Sequence, residues 1–108
     1  MEKISKELVG ASANPIILSI LSNGDTYGYE IIQRVKELSD DKIHWKEGSI
    51  YPVLKKLELS GCIKSYWKME DQQRPRKYYS INEAGRQELA REKEEWYIVQ
   101  AVFAKLWK

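Results

Sequence analysis

The chain has 108 residues, is 43% hydrophobic and 31% charged, and carries 18 basic against 16 acidic side chains. That composition implies one small soluble domain. It excludes a membrane-spanning helix, which needs about 20 apolar residues in a row.

The charged start from Met1 to Glu7 predicts no signal peptide. A single cysteine, Cys62, excludes an internal disulfide and predicts a cytoplasmic protein.

A first helix is expected over residues 4–22. Ile4, Leu8 and Ala11 recur at helical spacing ahead of the apolar run Ile16–Leu21. Asn14-Pro15 reads as a kink or a restart, since Asn caps helices and Pro suits their first position. Ser22-Asn23-Gly24-Asp25 reads as a turn. A second helix, Tyr27–Leu38, aligns Ile31, Ile32, Val35 and Leu38. Ile43-His44-Trp45 has the composition of a short strand.

A third helix should start near Gly48-Ser49. That places Pro52 in the first turn, where a missing N–H costs nothing. Ile50, Val53, Leu54 and Leu57 then form its core stripe, and Gly61 closes it. Ser49, Tyr51, Pro52, Lys55 and Lys56 are left to project outward.

Ile63–Met69 and Arg76–Ile81 flank a polar loop and read as a hairpin. Asn82 is placed to cap a last helix of about 26 residues, some 39 Å long. That is too long for the rest of the chain to cover. Its Leu89, Trp96, Val99, Phe103 and Leu106 follow the spacing of a helix-to-helix seam. A second copy of the chain is the expected cover. The fold class is therefore α+β, mainly helical: a winged helix-turn-helix over residues 1–81 and a dimerisation helix over 82–108.

Two composition features bear on function. Residues 44–81 hold eight basic and four acidic side chains, whereas the flanking thirds are balanced or slightly acidic. Four Trp and seven Tyr are also too many for a chain that buries only about 65% of its unfolded surface. Three helices followed by a basic hairpin suit duplex DNA: the third helix would offer hydroxyls and lysines to a major groove. Arg74, Arg76 and Lys77 would track phosphates or enter a minor groove. Trp45 and Trp67 are expected to pack the hairpin onto the helices. The alternative is a helical protein–protein interaction module that dimerises and never touches DNA.

The strings Tyr27-Gly28-Tyr29-Glu30-Ile31, Ser49-Ile50-Tyr51-Pro52-Val53-Leu54-Lys55-Lys56-Leu57-Glu58 and Arg76-Lys77-Tyr78-Tyr79 resemble those of the PadR family of transcriptional regulators. A single C-terminal helix makes the chain similar to the short, LmrR-type multidrug-binding repressors. The resemblance implies a homodimeric repressor of efflux or detoxification genes, bound to a pseudopalindromic operator. Tyr27, Gly28, Ser49, Tyr51, Pro52, Lys55 and Lys56 would lie at or near the DNA, with Arg74, Arg76 and Lys77 as wing contacts. It also matches Trp96 to a residue that stacks with its two-fold mate around planar aromatic drugs. Leu8, Ala11, Ser12, Pro15, Glu92, Trp96, Val99 and Gln100 would then wall an effector pocket. In the competing reading Trp96 packs in a closed seam without ligand.

His44 stands apart from any ligand cluster and Cys62 reads as a buried structural thiol. No phosphate-binding loop, nucleophile triad or carboxylate pair appears. No enzyme activity, metal or cofactor is expected.

Overall fold

A computed structural model describes residues 4–69 and 74–108. Its elements are α1 (Lys6–Ser22), β1 (Thr26–Tyr27), α2 (Gly28–Leu38), α3 (Glu47–Leu59), β2 (Ile63–Lys68), β3 (Arg76–Ile81) and α4 (Glu83–Leu106). Residues 70–73 of the expected hairpin loop lie outside the described residues.

Helix α1 runs unbroken through Asn14-Pro15, so the helix does not restart there. Its cap is Ser5, whose Oγ accepts from the Leu8 amide at 3.2 Å. Pro15 merely deprives the Ala11 carbonyl of its helical donor. In α3 the start at Glu47 puts Pro52 in the second turn, not the first. The Gly48 carbonyl thereby loses its partner, and the exposure of Gly48 lets water replace it. The far end of α3 is as expected. Gly61 adopts φ 84°, the Cys62 amide donates to Leu57 O at 3.0 Å, and the Gly61 amide donates to Glu58 O at 3.1 Å. These two bonds make a Schellman stop.

The segment 43–45 is not a strand. The chain leaves α2 through the same kind of stop, with Asp40 at φ 53° and Asp41 at φ 68°. Ile43 and Trp45 then turn inward without a strand neighbour. The third strand lies instead before α2: Thr26 pairs with Tyr79 and Tyr27 with Tyr78, giving the antiparallel order β1-β3-β2. Two residues carry too little periodicity to be read from sequence; they are strand because β3 offers them an edge.

Ile17, Leu18, Leu21, Ile31, Ile50, Leu54 and Ile63 are fully buried between the helices and the sheet. Each such side chain contributes about 1.5–3 kcal/mol by leaving water. Cys62 is buried with them. Asn82 fastens α4 to this body: its Oδ1 accepts from the Gly85 amide at 2.9 Å, and its Nδ2 donates to Gly61 O at 2.7 Å. Gly85 allows the approach, because a Cβ there would stand 2.2 Å from the Cys62 carbonyl oxygen.

Beyond Leu89, helix α4 leaves the body. The 24-residue helix is about 36 Å long, and the radius of gyration is 15.1 Å against about 13 Å for a compact chain of this length. Leu89 itself is buried in the chain's own core, so it is not free for a partner as the seam reading required. Val99, Phe103 and Leu106 are exposed, and so are Tyr97, Ile98 and Val102, which the seam reading did not include. Three helices, a small antiparallel sheet and a C-terminal helix make this a winged helix.

Candidate nucleic-acid interface

Helix α3 presents the expected outer face. Ser49, Tyr51, Pro52, Lys55 and Lys56 are all exposed while Ile50, Leu54 and Leu57 are buried. Tyr51 leans on the start of α2. A Cβ on Gly28 would sit 2.7 Å from its Oη and 2.8 Å from its Cζ, so only glycine lets the ring lie there. Gly28 is itself buried, and its lack of a Cβ seats the Tyr51 ring. Burial first, and then the nearby Glu47 carboxylate, push the Tyr51 hydroxyl up from the usual phenol value. The group stays a neutral donor.

The hairpin is held by three sets of contacts. Ser65 Oγ donates to Glu58 Oε2 of α3 at 2.7 Å. Tyr66 Oη donates to Asp25 Oδ2 at 2.7 Å, which ties β2 to the turn before β1 and, through that hydrogen bond, raises the phenol's pKa. On the same face the Tyr78 ring lies 5.3 Å from Tyr27 and 5.9 Å from Tyr66, with Lys68 Nζ 4.9 Å above it. Tyr78 is 7% exposed, a buried spacer between neighbouring rings.

Strand alternation sets Trp67, Lys77 and Tyr79 on the face that carries Ser65 toward α3. Tyr27, Tyr29, Glu47, Tyr51, Trp67, Arg74, Arg76, Lys77 and Tyr79 border one open cleft of 640 Å³; by register Tyr27 and Arg76 belong to the Tyr66–Tyr78 face and meet the cleft at its edge. Arg76 lies with its guanidinium 4.4 Å from the Tyr27 ring centroid, and Lys77 Nζ lies 5.9 Å from that of Tyr79. Stacking of this kind fixes a cation's direction while leaving its N–H groups free for phosphate.

The cleft therefore joins Tyr27, Tyr51, Arg74, Arg76 and Lys77, while Ser49, Pro52, Lys55 and Lys56 continue the surface along α3. Tyr29, Glu47, Trp67 and Tyr79 also border the cleft and were not among the expected DNA contacts. Trp67 is 67% exposed and does not pack the hairpin onto the helices, because the core ends at Ser65 on that side of β2. Trp45 is buried, but against α1 and α3 and not under the hairpin.

The Transcriptional regulator PadR-like family matches residues 17–91. The chain belongs to this family. A transcriptional regulator from Clostridium thermocellum is similar over 97% of this chain and 99% of its own, at 35% identity and TM-score 0.86. A PadR family transcription regulator from Clostridium difficile R20291 is similar over 90% and 99%, at 34% identity and TM-score 0.74. The negative transcriptional regulator PadR of Bacillus subtilis is 34% identical over 73 residues; the match covers 68% of this chain and 40% of that protein. PadR-like regulators act by binding DNA, and the matched span holds every side chain of the cleft together with the outer face of α3.

Of the residues read as effector walls, Leu8, Ala11, Val99 and Gln100 are exposed, and Ser12, Pro15, Glu92 and Trp96 are half-buried. None of them borders the cleft described above. Among the described residues no group of His, Cys, Asp and Glu is placed to hold a metal, and no helix is long and apolar enough to cross a membrane.

Proposed function

We propose that this PadR-family chain is a cytoplasmic homodimeric repressor that reads a pseudopalindromic operator. Helix α3 would enter the major groove with Ser49, Tyr51, Lys55 and Lys56, and Pro52 would contact apolar base edges. Arg74, Arg76 and Lys77 would hold the flanking phosphates. The observation that carries this reading is the joining of stacked cations and neutral phenols in one cleft beside the exposed face of α3. Each phosphate neutralised releases counterions, so binding falls steeply with salt.

The test is retention of a promoter fragment by the triple variant Lys55→Ala, Lys56→Ala, Arg76→Ala. The proposal expects loss of specific binding. Retention equal to the parent would remove the DNA reading and leave the helical interaction module.

The second copy would lie along the distal half of α4, where Val99, Phe103 and Leu106 are exposed. The regulated genes would be those of efflux or detoxification, and a planar aromatic effector would sit between two Trp96 rings. In favour stand the small side chains Ala11 and Ser12 on α1. Glu92, one turn before Trp96, would favour a cationic aromatic. Quenching of tryptophan fluorescence by a planar cationic dye should vanish in Trp96→Ala; undiminished quenching places the dye elsewhere.

A further inference from the structure

A second cavity, of 530 Å³, lies on the other side of α1, against α3 and the segment 42–46. Its walls are apolar: Val9, Ala13 and Ile17 from α1, Ile43 from the segment, and Ile50 and Val53 from α3. The volume is that of a small-molecule site. None of the side chains read above as effector walls borders it.

Two features say what would fill it. Trp45 is 7% exposed, and its indole Nε1 is buried with no hydrogen-bond partner. A buried donor left unmatched costs about 1–3 kcal/mol; Trp45 borders the cavity, and a turn of its ring toward an acceptor held there would recover that loss. The charges at the cavity are of one sign: Lys6, Lys42 and Lys46 border it and no carboxylate does. All three lysines are exposed, which keeps the cations at the rim and the apolar walls within.

We infer that this cavity binds an amphiphilic carboxylate, its hydrocarbon body against α1 and α3 and its carboxylate within reach of the Trp45 indole N–H and the lysine rim. The site lies apart from the Trp96 position and meets the proposed DNA surface only at Ser49, on the first turn of α3.

Decanoate is the probe, titrated into the full-length protein while the indole N–H resonances are followed by NMR, with Trp45 assigned by Trp45→Phe. A saturable shift of the Trp45 resonance is expected. Trp45→Phe, which removes the donor together with its resonance, should weaken decanoate binding about tenfold or more, read by calorimetric titration. Gly10 borders the cavity and has open space where a Cβ would be, so Gly10→Leu should keep the fold and block the site. Decanol should bind at least about tenfold more weakly than decanoate if the lysines select a charge. A Trp45 resonance indifferent to decanoate, or a shift unchanged in Gly10→Leu, overturns the inference. So does a resonance that follows protein concentration and not decanoate, since a second copy would then fill the cavity. DNA binding enters none of these readouts, so a failed operator assay leaves this result standing.

Discussion

The winged-helix body and the distal half of α4 solve the same problem in opposite ways. In the body Ser5 caps the start of α1, the Gly61 turn closes α3 and Asn82 caps α4, while α2 and α3 begin without a side-chain cap. Most of its large aliphatic side chains are inside, with Leu8, Leu38 and Leu59 among the exposed exceptions. From Tyr97 onward, α4 exposes six large hydrophobic or aromatic side chains and Trp107 just beyond it adds a seventh, with Phe103 stacked on Trp107 at 4.3 Å. An apolar helix face without cover is unstable as a free surface. The body is built to stand alone, and the distal helix is built to be completed. The family match ends at residue 91, close to the point where one regime gives way to the other.

The joint between the two regions gives the largest expected effect. Gly85→Ala would drive a methyl carbon into the Cys62 carbonyl, 2.2 Å away, and backbone cannot swing aside as a side chain can. A loss of about 3 kcal/mol is expected, read as a lower urea midpoint at unchanged slope. Gln87→Ala, two residues on and exposed, should change stability by less than about 0.5 kcal/mol. Equal effects of the two would mean that α4 is not clamped at Gly85.

Phe103→Glu should separate the two regions. Phe103 is 40% exposed in the single chain, so the body should lose little of its own stability. Self-association should weaken by about 2 kcal/mol, roughly thirtyfold in Kd, measured by sedimentation equilibrium. An unaltered association constant would place the dimer contact elsewhere.

Legibility in the sequence follows the same division. Helix α3, its Gly61 stop and the strands β2 and β3 were readable because core stripe, terminator and alternation agree there. Pro52 was misplaced by one turn because solvent can satisfy the Gly48 carbonyl, and a propensity rule does not see solvent. Strand β1 was invisible: Thr26-Tyr27 owes its state to β3, fifty residues away in the chain. Trp67 has the right parity to face inward, yet the core stops one pair earlier. Gly28 and Gly85 are fixed by contacts with Tyr51 and Cys62 that no local pattern announces. The heptad spacing on α4 was legible, but spacing alone did not tell that Leu89 is spent in the chain's own core while Val99 is free.

Glu92 sits where the two regions meet, in the heptad position between Leu89 and Trp96. Its side chain is only 12% exposed. Burial first, then a hydrogen bond and charge repulsion from Glu88, push its carboxyl up to about 7, although Arg91 pulls the other way. The folded state therefore holds this proton between about pH 4.5 and 7 while the unfolded chain releases it. Stability from this group is complete below pH 4.5 and declines as pH rises through 7. Glu92→Gln should match the parent at pH 4.5 and exceed it at pH 8 by about 1 kcal/mol. Glu88 slopes the other way. Arg91 holds its carboxyl down to about 2, so its contribution is present above about pH 4.5 and fades toward pH 2. A Glu92→Gln gain that is independent of pH would show that packing, not the proton, is responsible.

The smallest effect lies wholly within the body, at the left-handed turn that ends α2. Asp40 ends α2 at φ 53°, with its amide donating to Glu37 O at 3.1 Å and the Asp41 amide donating to Lys36 O at 2.8 Å. Glycine is the usual residue at this position of a Schellman stop, because a Cβ in the left-handed region costs about 1 kcal/mol. Asp40→Gly removes that cost but gives the unfolded chain more freedom, which returns part of it. A net gain of about 0.5 kcal/mol is expected, some 3 °C in Tm, whereas Asp40→Val should lose stability, since a branched Cβ is still less tolerant of positive φ. Both variants should leave self-association through α4 unchanged, because Asp40 is exposed on the body and α4 departs from another side, beyond the Gly61 turn that Asn82 grips. A change in the association constant on either substitution would mean that the body and the distal helix are coupled, contrary to the division drawn here between a part that is complete and a part that waits for its mate.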